Sequence, residues 1–233
     1  MDQFLSAIAG AIVGGGIAFA VQMYALRENR KQREEEHLRV KQALARSLLF
    51  KLSKLYSDFQ SIYTHIDEGL KREVPEGQNN EPWTSVRPLA NPPEKIAFSS
   101  EEMGLLLELK DDGLFNSLFS LDVVHGALVE VLKNLQVERD RLFSQMPHRS
   151  LGGANVQVAL NREQVLALRP QMELINYLVR TAHEWCVRDA RTASDALAQL
   201  QELFRGKLNL NYKIELLKTI PDEHREEDER VAE

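Results

Sequence analysis

The run from Phe4 to Leu26, FLSAIAGAIVGGGIAFAVQMYAL, contains no charged residue. A helix rises 1.5 Å per residue, so about 20 apolar residues cover the roughly 30 Å hydrocarbon core of a bilayer. An isolated span must satisfy its own backbone amides there, which only a helix does. Gly10, Gly14, Gly15 and Gly16 would weaken a helix in water but are ordinary in membrane helices. Ala18-Phe19-Ala20 has the small-x-small pattern of a cleavage site, yet Met1-Asp2-Gln3 supplies no basic start and the apolar run continues to Leu26. The segment therefore reads as an uncleaved transmembrane anchor over residues 1–26. Arg27, Arg30, Lys31 and Arg33 follow it, with no Lys or Arg before it. The positive-inside rule then places Met1 outside and the rest of the chain in the cytoplasm. A bacterial inner membrane suits a short chain of this kind. The same four basic residues would lie at lipid headgroup level. Ser6, Gly10, Gly14 and Ala18 fall four apart on one face and include a G-x-x-x-G. That spacing lets two helices approach closely, giving a candidate face for a homodimer or a partner membrane helix.

The roughly 200 residues after the anchor suffice for one domain with its own core. Net charge is −6, which argues against nucleic acid as a whole-chain partner. The single cysteine, Cys186, excludes an internal disulfide and fits a reducing compartment. Residues 27–37 have good helix propensity and no apolar face, so they read as a polar helical stalk continuing the anchor.

From Leu38 an apolar stripe begins. Leu38, Ala45, Leu52, Phe59 and Ile66 repeat every seven residues, and Leu48, Leu55 and Ile62 fill the second seam position. Leu49, Tyr56 and Tyr63 widen the stripe beyond a strict two-stranded coiled coil. The first helix thus extends to about Lys71. Five of the chain's eight prolines then fall in Glu73–Pro93, marking residues 73–98 as a long Pro-rich loop in which Trp83 is expected to pack on the core. Ser99-x-x-Glu102 is a capping box for a short second helix ending near Lys110. A third helix, opened by Asp111-Asp112-Gly113 and closed by Pro147, carries a seam from Leu114 to Met146 interrupted by His125 and Arg139. Residues 147–160 form a connector with a Gly152-Gly153 hinge and a short extended piece. Asn161 and Gln164 cap a fourth helix, whose seam runs from Leu168 through Cys186 and Asp189 to Leu203. Pro170 should kink it or mark a preceding turn, and Gly206 should end it. Residues 207–220 fit either a strand or a helix, and composition after Asn211 favours a short helix. Residues 221–233 read as a disordered acidic tail.

The fold expected is all-α: a single N-terminal transmembrane helix continuing into the long helix of a three- or four-helix antiparallel bundle over residues 38–220. A short connector makes the third and fourth helices antiparallel, placing position i of one near about 308 − i of the other. Asp122 and His125 then fall beside His183 and Cys186, ligand types that could hold zinc or another transition metal. A histidine in a leucine seam is more often a satisfied core residue, and Cys186 more often a small hydrophobe. The same register keeps Arg139 and Asp189 apart, so each should pair elsewhere or mark a pocket. No phosphate loop, G-x-S-x-G, H-E-x-x-H or C-x-x-C occurs, so no catalytic residue and no cofactor is assigned and the chain is not read as an enzyme. The leading expectation is a membrane-tethered scaffold, adaptor or regulatory subunit acting by protein binding, with the Pro-rich loop among its docking surfaces. A membrane-anchored dimeric sensor comes second, and a metal-dependent enzyme or metal sensor third.

Overall fold

The computed structural model describes residues 2–72, 81–146 and 160–216, with side chains from residue 21 onward. The described residues form five helices and no strand: α1 (Asp2–Leu70), α2 (Pro82–Ser85), α3 (Ser100–Glu108), α4 (Asp112–Gln145) and α5 (Arg162–Leu208). The expected anchor, the expected stalk and the first core helix are one continuous α1. Its side chains are exposed from residue 21 to residue 40, and its first fully buried residue is Ala45. From there the predicted stripe is the buried one: Leu48, Leu52, Leu55, Phe59, Ile62 and Ile66 all lie in the core.

Helix α5 packs along both α1 and α4. Its direction relative to α1 follows from two pairings. Gln42 donates to the Leu208 carbonyl (3.0 Å), and Tyr63 stacks on His183 (5.0 Å between ring centroids). The Gln171 amide donates to the carbonyl and carboxylate of Glu138 (3.1 Å each). That contact joins α5 to α4 one residue from the register read off the connector. The connector's own residues 147–159 lie outside those described, as does the tail from 217.

The Pro-rich loop differs from expectation. Its described part is a structural strap that begins with a short helix. Pro82 opens α2, where a missing amide costs nothing. Residues 86–98 then contact α1 and α4 in turn. His65 hydrogen-bonds the Arg87 carbonyl (2.8 Å), the Ile96 amide donates to His125 Nδ1 (3.5 Å), and Lys51 donates to the Ala97 carbonyl (2.9 Å). Val86 and Ile96 are buried and Trp83 packs on the core. The strap hands over to α3, whose capping box is formed on both sides. α3 ends in a Schellman motif: Asp111 N–H reaches the Leu106 carbonyl and Lys110 N–H the Leu107 carbonyl, with Lys110 left-handed at φ 60°.

Pro170 lies inside α5 and so marks no preceding turn. It is exposed, so the Leu166 carbonyl it leaves without an amide can be served by water. Gly206 does not stop the helix. Asn209 does, left-handed at φ 52°, with its own amide and that of Leu210 both on the Phe204 carbonyl. Phe204 and Leu208 rather than Leu203 close the buried seam. Residues 209–216 are neither strand nor helix. The Gln201 amide bridges both backbone groups of Ile214 (3.4 Å each), and the Arg46 guanidinium lies over the Tyr212 ring (5.7 Å). The Gln201 contacts satisfy the Ile214 backbone groups, which a helix would have satisfied internally.

Among the described residues, α4 is by length and composition the one helix apolar enough to cross a membrane. A core helix passes the same test. Here Leu114, Leu118, Leu121, Leu128, Leu132, Leu135 and Leu142 are spent on the core, and Glu130, Lys133, Glu138, Asp140 and Arg141 occupy the remaining faces.

Candidate functional site

The seam of α4 is apolar except at His125 and Arg139, and both are buried. His125 is fully enclosed. Its Nδ1 faces the Ile96 amide, which places the ring proton on Nε2, 3.4 Å from Asp58 Oδ2 on α1. Phe59 meets the ring edge-on (5.8 Å). His183 is turned to Tyr63 on α1. Burial and the nearby Asp189 carboxylate push the Cys186 thiol far up, so it is a neutral apolar filler. Asp122 is half-buried. Among the described residues no three His, Cys, Asp or Glu side chains gather as a metal would need. The histidines that share a level of the α4–α5 pair instead address α1, and sequence spacing alone does not reveal that third helix.

Asp189, the charged residue in the α5 seam, is held by its neighbour Arg188 through two 2.9 Å hydrogen bonds. Among the described residues Arg139 has no such partner. Only 3% of its surface is exposed. Its Nη2 donates to the Trp83 carbonyl (3.1 Å), while Nε and Nη1 are buried without a hydrogen-bond partner. Burial lowers its pKa to about 10, against a small opposing pull from Asp140, and it stays charged at neutral pH. Arg139 borders a cavity of about 20 Å³, walled by Ile66, Val86, Leu132 and Leu135 and also lined by His65, Arg87 and Gln136. The strap forms one wall and is pinned there. The Trp83 amide donates to Asn176 Oδ1 and Asn176 donates to Glu81, each at 2.9 Å. Arg139 was visible in the sequence as a seam charge fit to mark a pocket. His65, Arg87 and Gln136 were not, because the strap that gathers them has no periodic signal.

The remaining expected sites lie on α1. Arg27, Arg30, Lys31 and Arg33 are exposed along the stalk. Ser6, Gly10, Gly14 and Ala18 lie within the helix, but their side chains fall outside the described residues. No family model, no curated protein and no solved structure matches the chain.

Proposed function

We propose that the chain is a membrane-tethered helical scaffold or regulatory subunit that works by binding protein at the cytoplasmic face of a membrane. The observation that carries this reading is the continuity of α1. A charge-free run of bilayer length leads without a break through an exposed, charged stalk into a packed core. The finer arrangement proposed is a single N-terminal span running into a three- or four-helix antiparallel bundle, with Met1 outside. The Lys/Arg asymmetry about the span supports that orientation. The Pro-rich loop loses weight as a docking surface, because Val86 and Ile96 of its described part are buried in the core and Trp83 packs on it. Exposed apolar side chains take its place: Phe119 and Val123 one turn apart on α4, and Leu166, Leu174 and Tyr177 on α5.

Membrane preparations test the reading. The full chain should resist alkaline carbonate extraction and a form lacking residues 4–26 should not. Crosslinking should recover a protein partner from the full chain and lose it in the Phe119→Asp/Val123→Asp variant or in Leu166→Asp/Tyr177→Asp. Release of the full chain by carbonate would end the tether. A crosslinked partner indifferent to both surface variants would end binding through the core. A dimeric sensor remains the second reading, favoured by the unbroken α1. It predicts a homodimer crosslink that Gly10→Ile/Gly14→Ile abolishes.

A further inference from the structure

The part of α1 that joins the core has an exposed outer face. Arg46, Phe50, Lys54, Ser57 and Ser61 follow one another at steps of three or four residues. They therefore share one side of the helix, opposite the buried Leu48, Leu52, Leu55 and Phe59. Phe50 stands one turn from each of the cations Arg46 and Lys54, and 71% of its surface is exposed. An aromatic ring left open between two positive charges suits an occupant that combines apolar and acidic groups.

The chain carries such a segment, and the fold delivers it to this face. Asn209 ends α5 in the left-handed conformation, and the backbone turns back along the helix it has left. Leu208 lies at the level of Gln42 on α1, and the Tyr212 ring lies against the Arg46 guanidinium, one turn further on (5.7 Å). Ile214 bonds to Gln201, nearly two turns before the helix end, and Leu216 packs on the core. Residues 217–233 continue from there. They open with two aliphatic side chains, Leu217 and Ile220, and after Pro221 hold seven carboxylates against two arginines. Fully extended, a segment of that length spans about 56 Å. The face from Arg46 to Ser61 is about 22 Å long, so all of it is within reach.

We propose that residues 217–233 dock on the outer face of α1 in the same chain, with Leu217 and Ile220 against Phe50 and the carboxylates from Asp222 onward against Lys54 and Arg46. The contact covers the ring and sets negative charge on positive. It depends on neither the tether nor the partner proposed above, but it bears on both. A partner reaches Phe50 only by displacing the acidic segment, and raised salt, which screens exposed ion pairs, loosens the cover.

Hydroxyl-radical footprinting of the full chain in nonionic detergent reads Phe50 directly. Its oxidation should be slow in the parent protein and several-fold faster in Asp222→Lys/Glu223→Lys, which reverses charge at the start of the acidic run. Lys54→Glu should speed it likewise. Lys133→Glu, which replaces an exposed cation on α4, should not. Zero-length carbodiimide crosslinking of a mixture of light and heavy-nitrogen protein then shows which chain supplies the segment. Lys54 should join carboxylates of residues 222–229 only within chains of one label. Equal oxidation of Phe50 in the parent and the Asp222→Lys/Glu223→Lys variant would overturn the proposal and leave the face without this cover. An equal rise with Lys133→Glu would also overturn it, since net charge rather than a contact at Lys54 would then be responsible. So would crosslinks joining light to heavy chains, which would seat the segment on a second copy.

Discussion

At the scale of single residues, burial decides what each polar side chain can do. Glu102 caps α3 and is nearly inaccessible. Burial raises its pKa, but hydrogen bonds from Lys51, Ser47 and the Ser99 amide outweigh that, and it rests below the ordinary 4.5. A carboxyl with a lowered folded pKa binds its proton more weakly folded than unfolded. Its contribution is therefore complete above the unfolded value and disappears as pH falls through the folded one. Glu102→Gln should cost about 1–3 kcal/mol of unfolding free energy at neutral pH, a gap that closes on acidification. Denaturant unfolding of both proteins across that pH range measures it; a gap independent of pH would deny the charge a role. Cys186 gives a second residue-scale expectation. Its thiol is fully buried and pushed up by desolvation, so thiol reagents should label it only in denaturant. Labelling of the native protein would mean that the α5 seam opens. The sequence already placed Cys186, His125 and Arg139 inside, because each holds a seam position in a regular heptad-like pattern. It could not tell what they face, since partners on a third helix are fixed by packing rather than spacing.

At the scale of elements, the long helices were legible and the pieces between them were not. Capping boxes at Ser99 and Asn161 fixed the starts of α3 and α5 to the residue, because a cap is a local hydrogen-bonding arrangement. The strap was unreadable for the opposite reason. Prolines remove periodicity, and Val86, Leu89, Ile96 and Phe98 are apolar at spacings dictated by the neighbours they fill against. Gly69 records how closely the strap approaches. A Cβ there would lie 2.9 Å from the Val86 Cα, a backbone atom that cannot swing aside. Gly69→Ala should destabilise by about 1–3 kcal/mol and raise hydrogen exchange in residues 81–98, despite its better helix propensity. Gly206 is the counter-case. It sits inside α5 with nothing within 4 Å of an added Cβ. Gly206→Ala should therefore stabilise by about 0.5–1 kcal/mol. Thermal unfolding separates the two, and a destabilised Gly206→Ala would restore the helix stop to that residue rather than to Asn209.

At the scale of the whole molecule, α1 joins two parts that do not share a core. Its residues 21–40 are exposed, and the first anchoring contact past them is the ion pair of Lys41 with Glu108. Changes in the stalk should thus leave core stability where it is, since exposed positions away from packed features shift stability by less than about 0.5 kcal/mol. They should still alter geometry. Proline at Lys31 costs an interior helix about 3 kcal/mol, enough to break a solvated rod that no neighbour supports. Spin labels on Tyr24→Cys and Ala43→Cys report this directly, because native Cys186 is sealed from the label. An intact helix holds the two backbones roughly 28 Å apart along its axis, with a narrow distribution. Lys31→Pro should broaden that distribution while the core unfolds at an unchanged temperature. A broad distribution in the parent protein would mean that the stalk is not a rod and that the core is merely leashed. A fall in unfolding temperature with Lys31→Pro would mean that the stalk and core fold together. Rigid and energetically separate is the combination a tether needs to hold a binding surface at a fixed height without that surface depending on the membrane for its fold.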